Sequence, residues 1–370
     1  MKFFATVAIL VLTIPVSSAQ VPVVLVNDDN GSNNGATAYH LNTTNGTLTK
    51  LARLVTGGMG GGYGSHSRKQ AVRADGHCVW IANEESNSIT SFEGPTYNKT
   101  GDAGVPGMFD LFTSDIAVHP SGKLVVSGNT STFSPQISSW VVGPHCTLRH
   151  LGEFGEFIAY DNLALTWTPD GQYLLVSDRE STSLLKLNSD GSLTWVDGVS
   201  YFGLRCGNDL ECFPGQMDIT DDGKVVIVAN EGEDSVFTVN LDAGLLSNPR
   251  EWALAGGPSS GALWLSKQAR AGNGRFYVGK ELAGFATRGI ATARFTEDPL
   301  QIKSVGFTEF PDPGVIGSIR TVGNLLAIAE GGNQIQTAKV NSDGSLTLGP
   351  ITVDTDADGL VSLDVFPTIQ

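Results

Sequence analysis

Short runs of hydrophobic residues alternate with polar turns along this chain, and the same arrangement returns at intervals of about 40–50 residues. Each copy has an apolar run, a turn signal such as Asp-Gly or Ser-Gly, and a second apolar run that ends in polar residues. Clear copies begin at Gln70, Asp115, Leu163 and Met217. Short strands repeated at this interval are typical of the four-stranded blades of a β-propeller. The pattern therefore predicts an all-β chain.

The second strand of each blade is the most regular part of the repeat, because it ends in a small residue followed by polar ones. Seven such strands occur, at residues 23–29, 79–85, 124–130, 174–180, 226–232, 276–282 and 326–332. No first strand precedes the first copy, but residues 360–367 (LVSLDVFP) resemble the first strands of the other copies. We therefore predict a seven-bladed β-propeller of four-stranded blades. Its ring is closed by the C-terminal strand beside residues 22–54, which removes the exposed sheet edges.

The chain begins with one Lys, an apolar run and small residues that end at Ala19. This order is typical of a secretory signal peptide, and the apolar run is too short to span a bilayer. We expect residues 1–19 to be removed and residues 20–370 to form a single propeller domain. The mature protein is expected to be secreted and monomeric, with no membrane segment.

The charge balance restricts the partners. The formal net charge is −15, and removal of the leader, which carries one Lys and no acid, makes it one unit more negative. Such a surface repels nucleic acid and anionic membranes. The expected partner is therefore a small molecule.

Four cysteines in a secreted chain suggest two disulfides. Cys206 and Cys212 bracket a short loop, so local closure is the favoured pairing, which leaves Cys78 to pair with Cys146. The chain also carries five glycosylation sequons, at Asn30, Asn42, Asn45, Asn98 and Asn129.

A Gly-rich stretch from residue 57 leads through a Ser- and Gln-containing link into NEESNSITSF at residues 83–92. Together with WTPDGQYLLVSDR and NSDGSL further along, this order resembles the seven-bladed propeller lactonases. That family includes bacterial 6-phosphogluconolactonase and the fungal carboxymuconate-lactonising enzymes. The resemblance implies the propeller fold and chemistry on a lactone. Residues 159–165 depart from it, because they lack the His-rich run that members similar to the phosphogluconolactonase often carry before the middle strand.

Polar residues end the second strand of every blade, and in a propeller these ends lie on one face of the disc. We therefore predict a site around one channel mouth. Lactone opening needs a base for water and a cationic or hydrogen-bonding group for the carbonyl oxygen. Glu84 or Glu231 is the candidate base, His66 a proton carrier, and Arg179 or Lys280 the oxyanion and carboxylate anchor. The candidate substrate-binding residues are Asn83, Asp115, Asp178, Asn230, Lys280, Glu281 and Glu330, and the same ring includes Asn27, Asp28 and Asn129.

Two other interpretations of these residues stay open. Asn, Asp and Glu are common where loops begin, so the ring can be purely structural. An acid- and Asn-rich ring can also hold calcium.

No cofactor is predicted, and calcium is the one ion for which the sequence offers ligands. DTDADG places Asp354, Asp356 and Asp358 at the spacing of the first half of a calcium loop. The twelfth position is Val365, where such a loop carries a bidentate Glu.

The sequence thus favours a secreted lactonase-like hydrolase, or a lactone-forming enzyme, that acts on a small lactone or cyclic ester at the channel mouth. The alternative is a non-catalytic secreted propeller that binds a carbohydrate or protein partner. A cluster of His, Arg and acidic side chains at one channel mouth, with perturbed pKa values, would favour the enzyme. A channel mouth plugged by side chains or covered by glycans would favour the binding protein.

Overall fold

The computed structural model of the protein describes residues 21–28, 30–61, 72–74, 76–106, 112–130, 136–155, 163–178, 181–201, 214–230, 235–255, 259–268, 274–282, 288–297, 300–310, 316–330, 332–357, 359–360 and 362–366. Several predicted features lie outside these residues, namely the leader 1–19, His66, Arg179, Cys206, Cys212, Glu231 and Asp358, as does the side chain of Glu281. No helix in the described part of the chain is long and apolar enough to cross a membrane.

The described residues form seven antiparallel sheets of four strands each, which are the predicted blades. Blade 1 contains β1 (Val23–Asn27), β2 (Gly35–Leu41) and β3 (Leu48–Val55) together with the C-terminal β28 (Ser362–Phe366). Blade 2 contains β4 (Val72–Ala74), β5 (Cys78–Asn83), β6 (Ser88–Glu93) and β7 (Asn98–Gly104). Blade 3 contains β8 (Phe112–Val118), β9 (Leu124–Thr130), β10 (Gln136–Val142) and β11 (Leu148–Phe154), with a short 3-10 turn at Pro144–Cys146.

The other four blades follow in chain order. Blade 4 contains β12 (Ala164–Trp167), β13 (Tyr173–Ser177), β14 (Ser181–Leu187) and β15 (Leu193–Ser200). Blade 5 contains β16 (Pro214–Ile219), β17 (Val225–Asn230), β18 (Ser235–Asp242) and β19 (Leu245–Ala253). Blade 6 contains β20 (Ser259–Gln268), β21 (Gly274–Leu282), β22 (Arg288–Glu297) and β23 (Leu300–Phe310). Blade 7 contains β24 (Ile316–Val322), β25 (Leu325–Glu330), β26 (Gln334–Val340) and β27 (Leu346–Val353).

The innermost strands form a closed ring. Each contacts the next in the order β4, β8, β12, β16, β20, β24, β28, and β28 contacts β4. β28 also pairs antiparallel with β1, with Val23 opposite Phe366 and Asn27 opposite Ser362. The predicted closure by the C-terminal strand is therefore confirmed.

The blades pack face to face, which explains the apolar runs of the sequence. All residues of β5, β17 and β25 are buried, because the middle of a blade is covered by a neighbour on both faces. At the junction of blades 7 and 1, for example, Val24 and Val26 pack in one cluster with Ala327 and Ala329. The fourth strands, such as β3 and β7, are mostly exposed or half-buried.

The Asp-Gly turn between the first two strands of blade 4 requires its glycine. Gly171 has a φ of +70°, a backbone conformation that L side chains rarely adopt. A Cβ there would also lie 2.3 Å from His119 Nε2. His119 makes a hydrogen bond of 3.0 Å with the Gly171 carbonyl, so this histidine joins the turns of blades 3 and 4.

One predicted disulfide lies in the described residues. Cys78 in β5 is bonded to Cys146 beside the 3-10 turn, which links blade 2 to blade 3. The indole Nε1 of Trp80 donates to the Cys146 carbonyl at 3.0 Å. The pairing of Cys78 with Cys146 is confirmed.

One predicted glycosylation site conflicts with the structure. The Asn129 side chain is 0 % exposed, and its Nδ2, the atom that a glycan would modify, donates to Ser138 Oγ at 2.9 Å. This burial opposes glycosylation of Asn129 in the folded protein. Asn42, Asn45 and Asn98 are exposed and stay predicted sites, as does the half-buried Asn30.

The disulfide should contribute strongly to stability. It closes a loop with a sequence separation of 68 residues, for which the loss of unfolded-chain entropy amounts to about 4 kcal/mol. We expect Cys78→Ser combined with Cys146→Ser to lower the free energy of unfolding by up to that amount in urea titrations. The wild type measured under reducing conditions should show a loss at least as large, because the predicted Cys206–Cys212 bond is reduced as well. A double variant as stable as the oxidised wild type would contradict the prediction.

Candidate functional site

The amide residues that end the second strands hold turns within their own blades. Asn83 Nδ2 donates to Thr90 Oγ1 at 2.9 Å, and Asn230 Nδ2 donates to Ser235 Oγ at 3.0 Å. Asn129 makes the equivalent bond to its own third strand. Asn83 Oδ1 also accepts a hydrogen bond of 3.0 Å from Asn34 Nδ2 of blade 1, so these amides make contacts both within and between blades.

The aspartates of the predicted ring are also engaged locally. Asp28 forms an ion pair with Arg53 of the outer strand β3, and burial nevertheless raises the pKa of the Asp28 carboxyl above its usual value. Asp178 Oδ1 accepts a hydrogen bond of 2.8 Å from the Ser181 amide. Both carboxylates therefore stabilise the start of the third strand and its surroundings.

The remaining charged members lie at the boundaries between blades. Lys280 is fully buried and its Nζ donates to the Ala255 carbonyl at 3.1 Å. Glu330 at the end of β25 accepts a hydrogen bond of 2.6 Å from Arg288 Nη2 in blade 6. Glu84 is buried, with 2 % exposure. The interpretation that polar strand ends are structural accounts for the contacts of Lys280 and Glu330. His66, Arg179, Glu231 and the side chain of Glu281 lie outside the described residues, so the catalytic ring stays a prediction.

The predicted calcium loop already contains a cation. Lys50 Nζ forms an ion pair with Asp356 and lies 3.7 Å from Asp354 Oδ1. The Asp354 carboxylate also accepts the Asp356 amide at 3.0 Å. An ammonium group thus balances part of this negative charge. Asp358 lies outside the described residues, so the calcium loop stays a prediction.

A different set of charges occupies the centre of the ring. The channel cluster consists of Arg73, Asp115, Gln216, Asp218, Arg320 and Asp364, which lie on the innermost strands of blades 2, 3, 5, 7 and 1. The four charged residues of blades 1, 2, 3 and 5 all act electrostatically on Arg320 of blade 7. Because the innermost strands surround the axis, these charges reach Arg320 across the channel.

Arg320 extends from blade 7 to groups on two other blades. Its Nε lies 3.7 Å from Asp364 Oδ1, and its Nη1 donates to Gln216 Oε1 at 3.4 Å and to the Ile319 carbonyl at 3.0 Å. Arg320 Nη2 and Gln216 Nε2 are buried and have no hydrogen-bond partner among the described residues. Two donor nitrogens of the channel cluster thus lack an acceptor in the described part of the chain.

The charge state of Arg320 reflects this setting. Burial and then the like charge of Arg73 lower the pKa of Arg320 to about 10, while Asp364, Asp218 and Asp115 oppose the shift. The guanidinium therefore stays protonated at neutral pH, but its surroundings compensate its charge only in part. An anionic or strongly polarised oxygen would be stabilised beside it.

The acids of the channel cluster differ in what they can do. Asp115 is buried and both of its oxygens accept backbone N–H groups, from Ile116 at 2.9 Å and from Leu165 of the next blade at 2.7 Å. It holds β8 and β12 together. Asp218 is partly exposed and one of its oxygens accepts the Ile219 amide at 2.8 Å. Because it is partly exposed, Asp218 is more accessible to a bound molecule than Asp115 is.

Sequence reasoning placed Asp115 in the site but missed the other members of the channel cluster. A signal was present, because each innermost strand of these blades carries one charged residue within an otherwise apolar or small run, as in SIRTV and SLDVF. A single charge in a buried first strand has no neighbours that could compensate it except across the channel.

The fold defines this protein as a seven-bladed β-propeller, and comparison with solved structures agrees. No protein-family model matches the sequence, and no curated protein matches it. A proposed 6-phosphogluconolactonase from Bacteroides fragilis aligns over 95% of this chain and 99% of its own, with 17% identity and a TM-score of 0.73. The periplasmic gluconolactonase of Pseudomonas aeruginosa aligns over 94% of this chain and 100% of its own, with 13% identity and a TM-score of 0.71. At such identities the similarity shows the fold alone.

Replacing Asp115 tests its structural role. Asp115→Ala leaves the buried amides of Ile116 and Leu165 without their acceptor, and each unsatisfied group costs about 1–3 kcal/mol. We expect the free energy of unfolding to fall by about 2 kcal/mol or more, measured by chemical denaturation. Asp242→Ala, at an exposed acid that ends β18, is the matched control and should change stability by less than about 0.5 kcal/mol. Equal effects of the two variants would refute this role.

Proposed function

We propose that the protein is a lactonase-like hydrolase that opens a small lactone or related cyclic ester in its central channel. The observation that carries the proposal is the channel cluster, in which a buried guanidinium with an available donor lies among carboxylates. A carbonyl oxygen can be polarised at one side of such a site while water is deprotonated at the other.

The proposed reaction uses three side chains. Arg320 Nη2 and Gln216 Nε2 donate hydrogen bonds to the lactone carbonyl oxygen, where negative charge develops as water attacks. Asp218 accepts a proton from that water. The tetrahedral intermediate collapses with cleavage of the ring C–O bond, and the proton is delivered to the departing alkoxide. The product is a hydroxy acid whose carboxylate lies beside Arg320. The same groups serve lactone formation in the reverse direction.

Two further considerations support this proposal. The structural neighbours include proteins described as a 6-phosphogluconolactonase and a gluconolactonase. The strongly negative chain favours an uncharged lactone over a phosphorylated one, since the overall field repels added negative charge. We further propose that the protein is secreted, on the pattern of residues 1–19.

A hydrolysis screen of small lactones and cyclic esters, followed by pH-stat titration of the purified protein, tests the proposal. We expect Arg320→Gln to lower kcat by about 100-fold or more, as loss of an oxyanion donor does, and Asp218→Asn to lower it by a similar factor of about 100. Parallel assays with a chelator should show unchanged rates, because the proposed reaction uses protein side chains alone.

Matched variants separate these effects from general charge changes. Arg294→Gln and Asp242→Asn alter exposed residues outside the channel and should retain the wild-type rate. If the wild type hydrolyses no lactone faster than buffer does, or if Arg320→Gln and Asp218→Asn are fully active, the proposal fails. Binding of a carbohydrate or protein without turnover would then support the non-catalytic alternative.

A further inference from the structure

The disulfide that joins blades 2 and 3 brings two histidines to one carboxylate. His77 directly precedes Cys78, and His145 directly precedes Cys146, so the bond between the cysteines fixes the backbone beside both imidazoles. Glu93 lies on the neighbouring strand, opposite Cys78 in the β5–β6 register. The three side chains therefore converge from two blades and three chain segments.

The contacts between these groups are close and solvent-accessible. His77 Nε2 lies 3.0 Å from Glu93 Oε1, and His145 Nδ1 lies 3.0 Å from Glu93 Oε2. The side chains of His77, His145 and Glu93 are 62%, 75% and 30% exposed. A dissolved ion can thus reach the nitrogen and oxygen atoms without any opening of the fold.

We propose that His77, His145 and Glu93 form a surface binding site for a divalent transition-metal ion such as Zn²⁺. Imidazole nitrogen and carboxylate oxygen are preferred zinc ligands, at bond lengths of about 2.0–2.2 Å. Around a tetrahedral ion such ligands lie roughly 3.3 Å apart. Each imidazole now contacts a different oxygen of Glu93, so the exposed side chains must rotate to bring both nitrogens to one ion. Each imidazole binds through an unprotonated nitrogen and keeps its ring proton on the other nitrogen, and a proton carried by an imidazolium is released to solvent.

The backbone around the site is already held in place, which reduces the entropy lost on binding. The Cα atoms of Cys78 and Cys146 are 5.4 Å apart, and the Gly94 amide, next to Glu93, donates to the His77 carbonyl at 2.7 Å. In the disulfide the sulfurs are not thiolates and so are not ligands. Water completes the coordination, since all three side chains face solvent.

Calorimetric titration of the metal-free, oxidised full-length protein with Zn²⁺, in the absence of reductant, tests the site. We expect one equivalent to bind. His77→Ala, His145→Ala and Glu93→Gln should each weaken binding by at least about 10-fold, the smallest loss typical even for supporting groups of a metal site. Thermal melts should show that Zn²⁺ raises the Tm of the wild type and not of His77→Ala combined with His145→Ala.

His40→Ala is the matched control, because His40 is an exposed histidine on β2 in another blade, and it should bind Zn²⁺ as the wild type does. The variants change exposed side chains, so far-ultraviolet circular dichroism should confirm that they are folded. The proposal is overturned if the wild type binds no Zn²⁺, or if the double histidine variant binds as tightly as the wild type. Lactone hydrolysis is not part of this test, so its outcome is independent of the proposed channel activity.

Discussion

The antiparallel pairing of β28 with β1 is the contact on which the rest of this structure depends. Each blade has two apolar faces, so no blade is stable unless neighbouring blades cover both of its faces. The pairing supplies blade 1 with its innermost strand from the other end of the chain, and so blade 1 can cover blades 7 and 2 at once. A single strand of five residues thus covers the inner edge of β1 and completes the ring of innermost strands.

Closure of the ring also brings charged side chains of different blades close to one another at its centre. The innermost strands of four other blades bring charged side chains within electrostatic reach of Arg320, and such charges interact more strongly where they are buried. Two backbone N–H groups stabilise the charge of the Asp115 carboxylate. The charge of Arg320 is compensated only in part, and its Nη2 has no acceptor among the described residues. That difference separates a residue that stabilises the ring from one that is able to bind a ligand.

The polar residues at the ends of the second strands show the same principle in a structural role. Asn83 and Asn230 satisfy hydroxyl groups of their own third strands, and Arg288 with Glu330 joins blade 6 to blade 7. These polar side chains can be buried because each of them is hydrogen-bonded to another group of the protein. A buried polar ring is therefore compatible with a function in assembly, and its regular spacing follows from the repeat itself.

The local sequence pattern was enough to predict the strands, the number of blades and the closing strand. Each blade repeats the same alternation of apolar runs and polar turns, and turns such as the one at Gly171 involve only neighbouring residues. The pairing of Cys78 with Cys146 also followed, once Cys206 and Cys212 were assigned to local closure of their short loop. Which polar residues face the channel was decided only by the tertiary structure. Arg73, Asp218, Arg320 and Asp364 are far apart in sequence, and their interaction arises from the curvature of a closed ring, which no local pattern encodes. The same holds for the meeting of His77, His145 and Glu93, since it depends on the packing of two blades against each other.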